Sequence, residues 1–280
     1  MQLSAPEELI KCDMREEPLT AILNGTGMLV RCAPPPLQSY LGCFWSLAGE
    51  APASVATLPD GCSQFTVELT RHAAPRIFLS GPRRGPGHYA KPPMTRIAGV
   101  RLRPGIGHLL WRRPMSELVD RRVAYPAPEL VARLGGVPEV DACFDALESY
   151  LAERLAGASP DLRVAAAVRM ILESAGEVRM AEVARQCGIG IRQLERLMRV
   201  WVGLPPKRLA RVARFQAMLG SFASTPGNPL GRPARDWTQI AAEAYADQSH
   251  LIHEFAAFAG ASPRRFYAMQ GAHASAARCR

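Results

Sequence analysis

Residues 180–201 read MAEVARQCGIGIRQLERLMRVW, and this stretch decides how the C-terminal part of the chain folds. Residues 181–186 predict a short amphipathic helix with Val183 and Ala184 facing inward. Residues 187–190 predict a turn, because Gly188 can adopt the positive φ that a sharp reversal needs. A second helix is predicted over 191–201, with one apolar face made of Leu194, Leu197, Met198 and Trp201.

The opposite face of the second helix is polar, and it carries Arg192, Glu195, Arg196 and Arg199. Two short helices joined by a tight turn form a helix-turn-helix, in which the first helix braces and the second enters the major groove of DNA. The same arginines could also line an ordinary solvated surface. The pattern alone leaves both interpretations open.

A similar stretch, residues 238–259, reads TQIAAEAYADQSHLIHEFAAFA and lies about 57 residues further along the chain. It predicts a helix over 238–245, a turn at 246–247 and a second helix over 248–259. We expect the apolar face of this last helix to hold Leu251, Ile252, Phe255 and Phe258. We expect its outward side chains to be Gln248, Ser249, His250 and His253.

A long helix is predicted to join the two units. Residues 205–209 start it, with Pro205 and Pro206 first, and proline is tolerated in the first turn of a helix. Its apolar period continues through Leu209, Val212, Ala213, Gln216 and Leu219. A rigid connection of this kind would let two helices read successive major-groove segments from one side of the duplex.

The two stretches together resemble the DNA-binding domain of the AraC family of bacterial transcription regulators. The first motif consists of residues 181–184, 193–198 and 201–208. The second consists of residues 245–251, Phe255 and 259–266. The resemblance covers roughly residues 165–270 and implies sequence-specific binding to double-stranded DNA.

The resemblance also implies which residues touch DNA. Arg192, Gln193, Glu195, Arg196 and Arg199 of the first unit, and Gln248, Ser249, His250 and His253 of the second, are the implied DNA-binding side chains. Arginine is suited to guanine, and glutamine or serine can read adenine or contact phosphate. Lys207, Arg208 and Arg211 are expected on the phosphate backbone, which positions the protein without specifying a sequence.

Some positions depart from the family pattern. Gly190 stands where the family usually has a serine or threonine helix cap, a change that weakens a helix by a few tenths of a kcal/mol. Ala244 replaces a common glycine, and His253 replaces a common arginine or lysine. The loop at 223–233 is longer than usual, which affects the expected spacing of the two units.

The charge distribution agrees with a polyanionic partner for one half of the chain. Residues 161–280 contain 17 Lys and Arg against 9 Asp and Glu, a net +8, whereas residues 1–160 contain 17 against 16, a net +1. Basic side chains gain affinity for nucleic acid by displacing counterions from phosphates. Nearly all of the net charge of +9 therefore lies where the helix-turn-helix units are predicted.

The first part of the chain is predicted to be β-rich. Short strands are expected at 40–47, 64–69, 76–79 and 95–102, separated by turn residues at 34–36, 58–61 and 81–87. Residues 64–69 alternate as a half-buried strand does, and the whole region suggests a barrel-like domain. The predicted fold class is α+β, with this domain followed by an all-α domain.

Helical periodicity begins before the domain boundary. Val140, Cys143, Phe144, Leu147, Tyr150, Leu151 and Leu155 share one helical face, which could pack on its own domain or form a dimer seam. We place the domains at 1–158 and 161–272. Residues 58–62, 99–105 and 117–121 resemble an N-terminal domain of AraC-type regulators whose ligand is unassigned, which implies sensing or dimerisation.

Metal and cofactor chemistry is not predicted. Seven cysteines are scattered singly, without a C-x-x-C pair: Cys12, Cys32, Cys43, Cys62, Cys143, Cys187 and Cys279. Cys62 is either buried or a redox-sensing thiol. The histidines His72, His88 and His108 lack metal-ligand spacing, and Arg83 with Arg84 are either solvated or bind an acidic effector.

Enzymatic and membrane functions are not expected either. The chain has no G-x-S-x-G, phosphate-binding glycine loop or H-E-x-x-H, and its scattered cysteines disfavour a zinc-dependent methyl acceptor. No signal peptide or apolar stretch long enough to span a membrane is visible, so we expect a cytoplasmic protein. Besides DNA, the expected partners are an unknown small-molecule effector, with RNA polymerase and a second copy of the chain left open. A protein-binding module that has lost DNA contact is the alternative.

Overall fold

The computed structural model describes residues 28–47, 54–70, 73–90, 92–93, 95–135, 139–223, 248–263 and 265–266. Its strands are β1 (Met28–Cys32), β2 (Leu41–Leu47), β3 (Ser54–Thr57), β4 (Ser63–Thr70), β5 (Ala73–Ser80), β6 (Gly87–Ala90), β7 (Thr95–Leu102) and β8 (Arg122–Ala124). Its α-helices are α1 (Gly107–Trp111), α2 (Pro128–Arg133), α3 (Val140–Leu155), α4 (Leu162–Glu173), α5 (Met180–Gln186), α6 (Ile191–Trp201), α7 (Pro206–Ala223) and α8 (Gln248–Ala259). The α+β class is confirmed.

The strands form one large sheet and one small one. The large sheet is antiparallel, with six strands in the order β1-β2-β7-β4-β5-β8, and β3 pairs only with β6. The sheet is not closed in the described residues, so the barrel-like prediction is wrong in that respect. The last strand, β8, has three residues, and β3 and β6 pair with each other instead of joining the edges of the large sheet.

Helix α3 packs across one face of the large sheet. Phe65 of β4 stacks on Tyr150 with ring centroids 5.9 Å apart, and Phe44 of β2 meets Phe144 at the same distance. The apolar face of α3 is buried in this cluster. This resolves the two interpretations of the helix: its apolar face packs on its own sheet and is not left free for a second copy.

The other face of β4 is also buried, whereas the alternating sequence predicted that this face would be exposed to solvent. The carboxylate of Glu68 is almost fully buried, and it accepts hydrogen bonds from Tyr89 of β6, Arg76 and Arg122, the last at 2.6 Å. Burial alone would raise the pKa of Glu68, but these hydrogen bonds and charges hold it below its ordinary value of 4.5. The small sheet is thereby fixed onto the large one.

Two further apolar clusters lie in the C-terminal helices. One joins α4, α5 and α6 to Leu209, Ala210 and Ala213 of α7, and the other joins α7 to α8 around Phe215 and Phe255. The N-terminal cluster ends at Leu155 and the next begins at Val164. The proposed boundary at 158–161 lies between them, and the division into two domains stays an interpretation.

None of the helices in the described part of the chain is long and apolar enough to cross a membrane.

Candidate nucleic-acid interface

The first helix-turn-helix is formed by α5 and α6. Gly188 in the turn has φ 65°, the left-handed conformation that its sequence position predicts. Ile189 packs against the cluster beneath, and Leu194, Leu197 and Met198 of α6 are buried in it. Gly190 caps α6 with extended backbone and no side-chain hydrogen bond, as expected for a residue without a cap group.

The outward face of α6 is basic. Arg192, Arg196 and Arg199 are exposed, and Gln193 and Glu195 are half-buried. Glu195 lies 3.8 Å from Arg199, one turn further along the helix. Because the opposite face of α6 is locked in the core, these arginines are presented to solvent on a rigid support.

The helix predicted over 248–259 is observed as α8. The predicted helix 238–245, the turn 246–247 and residues 224–233 of the predicted loop lie outside the described residues. Ser249, His250 and His253 are exposed on α8, and the side chain of Gln248 lies outside the described part. Leu251, Phe255 and Phe258 are fully buried, whereas Ile252 is 39% exposed. Placing Ile252 on the buried face was therefore wrong, because its position on the helix falls at the border of the apolar face.

Helix α7 packs against both α6 and α8, and an ion pair joins it to α8. Arg211 of α7 donates two hydrogen bonds to Glu254 of α8, one of them from Nε at 2.9 Å. Burial acts to raise the pKa of Glu254, but the guanidinium of Arg211 holds it below its ordinary value. Arg211, which was expected on a phosphate, pairs with Glu254, and its side chain is 40% exposed. Lys207 at the start of α7 is exposed.

Arg208 is also turned into the protein. Its guanidinium donates to the carbonyl of Arg84 in the N-terminal half and lies over the ring of Phe258 at 4.7 Å. A DNA phosphate would have to compete with both contacts. Of the three basic residues expected on the backbone, Lys207 alone is presented fully to solvent.

The C-terminal end of α6 rests on the N-terminal half. The ring of Trp201 packs on His108 of α1 with centroids 4.3 Å apart. Gly203 follows with φ 89°, and a Cβ there would lie 2.9 Å from the carbonyl oxygen of Met115. The close approach needs glycine, and it holds the end of α6 against the N-terminal half of the chain.

A turn between β3 and β4 makes a second contact, with α7. Gln216 donates its side-chain amide to the carbonyl of Pro59 at 2.7 Å, and a Cβ on Gly61 would lie 2.5 Å from Leu209. Asp60 holds this turn from below, because it accepts from Arg101 Nε at 2.8 Å and from the Cys62 amide at 2.9 Å.

The structure also bears on the alternative sites. Burial raises the pKa of the Cys62 thiol to about 12, so the thiol stays protonated and a redox-sensing role is not supported. Arg84 pairs with Asp120 at 2.7 Å, and Arg83 donates to nearby carbonyls of its own loop, so an acidic effector would have to displace these contacts. His88 is exposed, and His72 lies outside the described residues. Among the described residues, no group of three or more His, Cys, Asp or Glu could hold a metal ion.

Sequence reasoning missed the contacts between the two halves. Trp201 was assigned to the apolar face of α6 without a partner in the first domain, and Gln216 was an unexplained polar residue within an apolar period. The polar Gln216 within the apolar period of α7 was the one sign of such a contact. Its partner could not be predicted, because Gln216 binds a backbone carbonyl, which every residue has.

Comparison with known proteins gives a family match and several structural likenesses. A family model described as a domain of unknown function (DUF6597) matches residues 31–124, from β1 to the end of β8. No curated protein matches the chain. An apo ToxT variant from Vibrio cholerae has a TM-score of 0.41 and 12% identity, over 88% of this chain and 98% of its own. Another ToxT structure has a TM-score of 0.42 and 10% identity over 86% and 98%. ToxT bound to (E)-4-(8-methylnaphthalen-1-yl)but-3-enoic acid has a TM-score of 0.40 and 10% identity over 88% and 98%.

Proposed function

We propose that the chain is a sequence-specific DNA-binding regulator of transcription, in which α6 and α8 read successive major-groove segments. The observation that carries the proposal is the basic outward face of α6, with Arg192, Arg196 and Arg199 exposed on a helix anchored in the core. An arginine can donate two hydrogen bonds to O6 and N7 of guanine, the commonest specific contact in the major groove.

The charge and the surface of α8 support the same function. The C-terminal 120 residues carry a net +8, from 17 basic against 9 acidic residues, which suits a phosphate backbone. Ser249, His250 and His253 present hydrogen-bonding groups on the exposed side of α8. We assign Lys207 to the backbone and Arg196 to base reading.

The proposal extends to the remaining parts of the chain. Residues 1–158 form a domain that senses an unidentified small molecule or mediates dimerisation. On DNA, the protein binds a second copy of the chain or RNA polymerase. The regulator acts in the cytoplasm, needs no metal or cofactor and catalyses no reaction. The contacts of Trp201 and Gln216 with the first domain are the route by which an effector could bias the DNA-binding helices.

The test selects duplexes bound by the purified full-length protein from a random pool and then measures affinity by fluorescence anisotropy. We expect a shared sequence motif and an affinity that falls about 10³-fold or more between roughly 50 and 200 mM salt. Lys207→Ala should weaken binding to all duplexes alike and reduce the salt slope by about one. If no duplex is enriched and no binding is measurable even at about 50 mM salt, the protein-binding module that has lost DNA contact is favoured instead.

A further inference from the structure

The two recognition helices present equivalent positions 57 residues apart. Leu194 and Met198 of α6 are fully buried, and so are Leu251 and Phe255 of α8, which stand at the same spacing. Because both helices place these pairs in the core, their outward positions also correspond. Arg192 is equivalent to Ser249, Glu195 to Ile252 and Arg196 to His253.

Ile252 therefore occupies the place that a base-facing glutamate holds in the first unit. Its side chain is 39% exposed, although Leu251 before it is fully buried. It lies beside Ser249, one turn earlier, and His253, both of which are exposed. Ala256, one turn further along, is a small and half-buried residue.

We propose that Ile252 reads the C5-methyl group of a thymine in the major groove, an inference that rests on the proposed function. Thymine is the only base that offers a methyl group on that side of a base pair, and an aliphatic side chain has no hydrogen bond to give to any other base. Ser249 and His253 supply polar contacts on the flank. The equivalent Glu195 can accept from cytosine N4, so the two units read different base classes.

This assignment makes a statement about the operator. The segment under α6 contains the G·C pairs that Arg192, Glu195 and Arg196 recognise. The segment under α8 contains a thymine that matters through its methyl group. No such requirement follows for the segment under α6, where the position equivalent to Ile252 is charged.

Replacing thymine by deoxyuridine isolates that methyl group, because it leaves all hydrogen-bonding groups of the base in place. Each thymine of the selected duplex is replaced singly, and binding of the full-length protein is measured by anisotropy. Wild type should lose about fourfold in affinity at one thymine under α8, the value of one buried methyl group. Ile252→Ala should bind the thymine and deoxyuridine duplexes equally, and Ile252→Val should keep part of the difference.

Leu162→Ala is the matched control, since Leu162 is a 60% exposed apolar residue at the start of α4 and lies on neither recognition helix. This variant should keep the wild-type sensitivity to deoxyuridine. Thermal melting by circular dichroism checks that Ile252→Ala is folded, as expected for an exposed side chain.

The outcomes separate this inference from the proposed function. If no duplex is bound with sequence preference, both fail. If a preferred duplex is bound but no thymine can be distinguished from deoxyuridine, or Ile252→Ala retains the fourfold difference, the regulator stands and the role of Ile252 is refuted.

Discussion

Replacing Asp60 by alanine removes the anion beneath the turn that contacts α7. Asp60 and Arg101 are 9% and 8% exposed, and their oxygen and nitrogen lie 2.8 Å apart. Without the carboxylate, the guanidinium of Arg101 is left buried without its counter-ion, and the amide of Cys62 loses the acceptor at 2.9 Å. Both lost interactions stabilise the same turn between β3 and β4.

The expected cost follows from this burial. Removing one partner of a buried ion pair destabilises a protein by about 3–5 kcal/mol, because the other charge stays desolvated. Asp60→Asn should cost less than Asp60→Ala, because the amide oxygen can still accept from Cys62. Arg101→Met combined with Asp60→Ala should recover part of the loss, because no uncompensated charge remains.

Urea unfolding followed by circular dichroism gives the free energy of unfolding of each variant. The control is Glu117→Ala, which deletes a carboxylate from an exposed pair with Arg113 in the same half, at 2.6 Å. This control should cost less than about 1 kcal/mol. If Asp60→Ala costs no more than Glu117→Ala, the buried pair does not hold the turn and the reasoning is refuted.

Three further predictions concern other parts of the chain. Arg196→Ala should cost about 1–3 kcal/mol in binding to the selected duplex and relax preference at one base pair; the control Arg133→Ala, which removes the same charge from the N-terminal half, should leave the preference unchanged. Cys62 should resist iodoacetamide in the folded protein at pH 8, whereas exposed Cys32 is alkylated, as read by peptide mass spectrometry; equal labelling would contradict the burial of Cys62. The pKa of Glu254 is held below its ordinary 4.5, so the stability from its pair with Arg211 is complete above that value and is lost as the pH falls below it. Urea midpoints measured at low and neutral pH should show a smaller difference for Glu254→Gln, and an unchanged difference would exclude this pair as a cause of acid sensitivity.

The C-terminal helices could be predicted because each depends on contacts that are close in sequence. The period of Leu194, Leu197 and Met198 locates α6, and Gly188 marks the turn before it. Strand β7 was predicted with its observed bounds, Thr95–Leu102, as a short run between turn residues. The outward position of the arginines on α6 follows from the same period.

The sheet topology and the contacts between the halves depend on distant partners, which periodicity does not report. The strands β1, β3, β6 and β8 have three to five residues each and were not predicted. Arg208 and Arg211 are basic residues of the kind that bind phosphate. In the structure, Arg208 donates a hydrogen bond to the carbonyl of Arg84, and Arg211 donates to the carboxylate of Glu254. Ile252 was assigned to the core because it is apolar. It lies at the edge of the apolar face of α8 and is therefore exposed.

Helix α7 contributes to two apolar clusters at once, through Leu209 and Ala213 on one side and Phe215 and Leu219 on the other. Neither cluster can open without uncovering the helix that supports its neighbour. We therefore expect α6 and α8 to unfold together with α7, and backbone amides in the middle of α7 should be among the slowest to exchange with solvent deuterium. A substitution that destabilises either apolar cluster should therefore lower the stability of both α6 and α8.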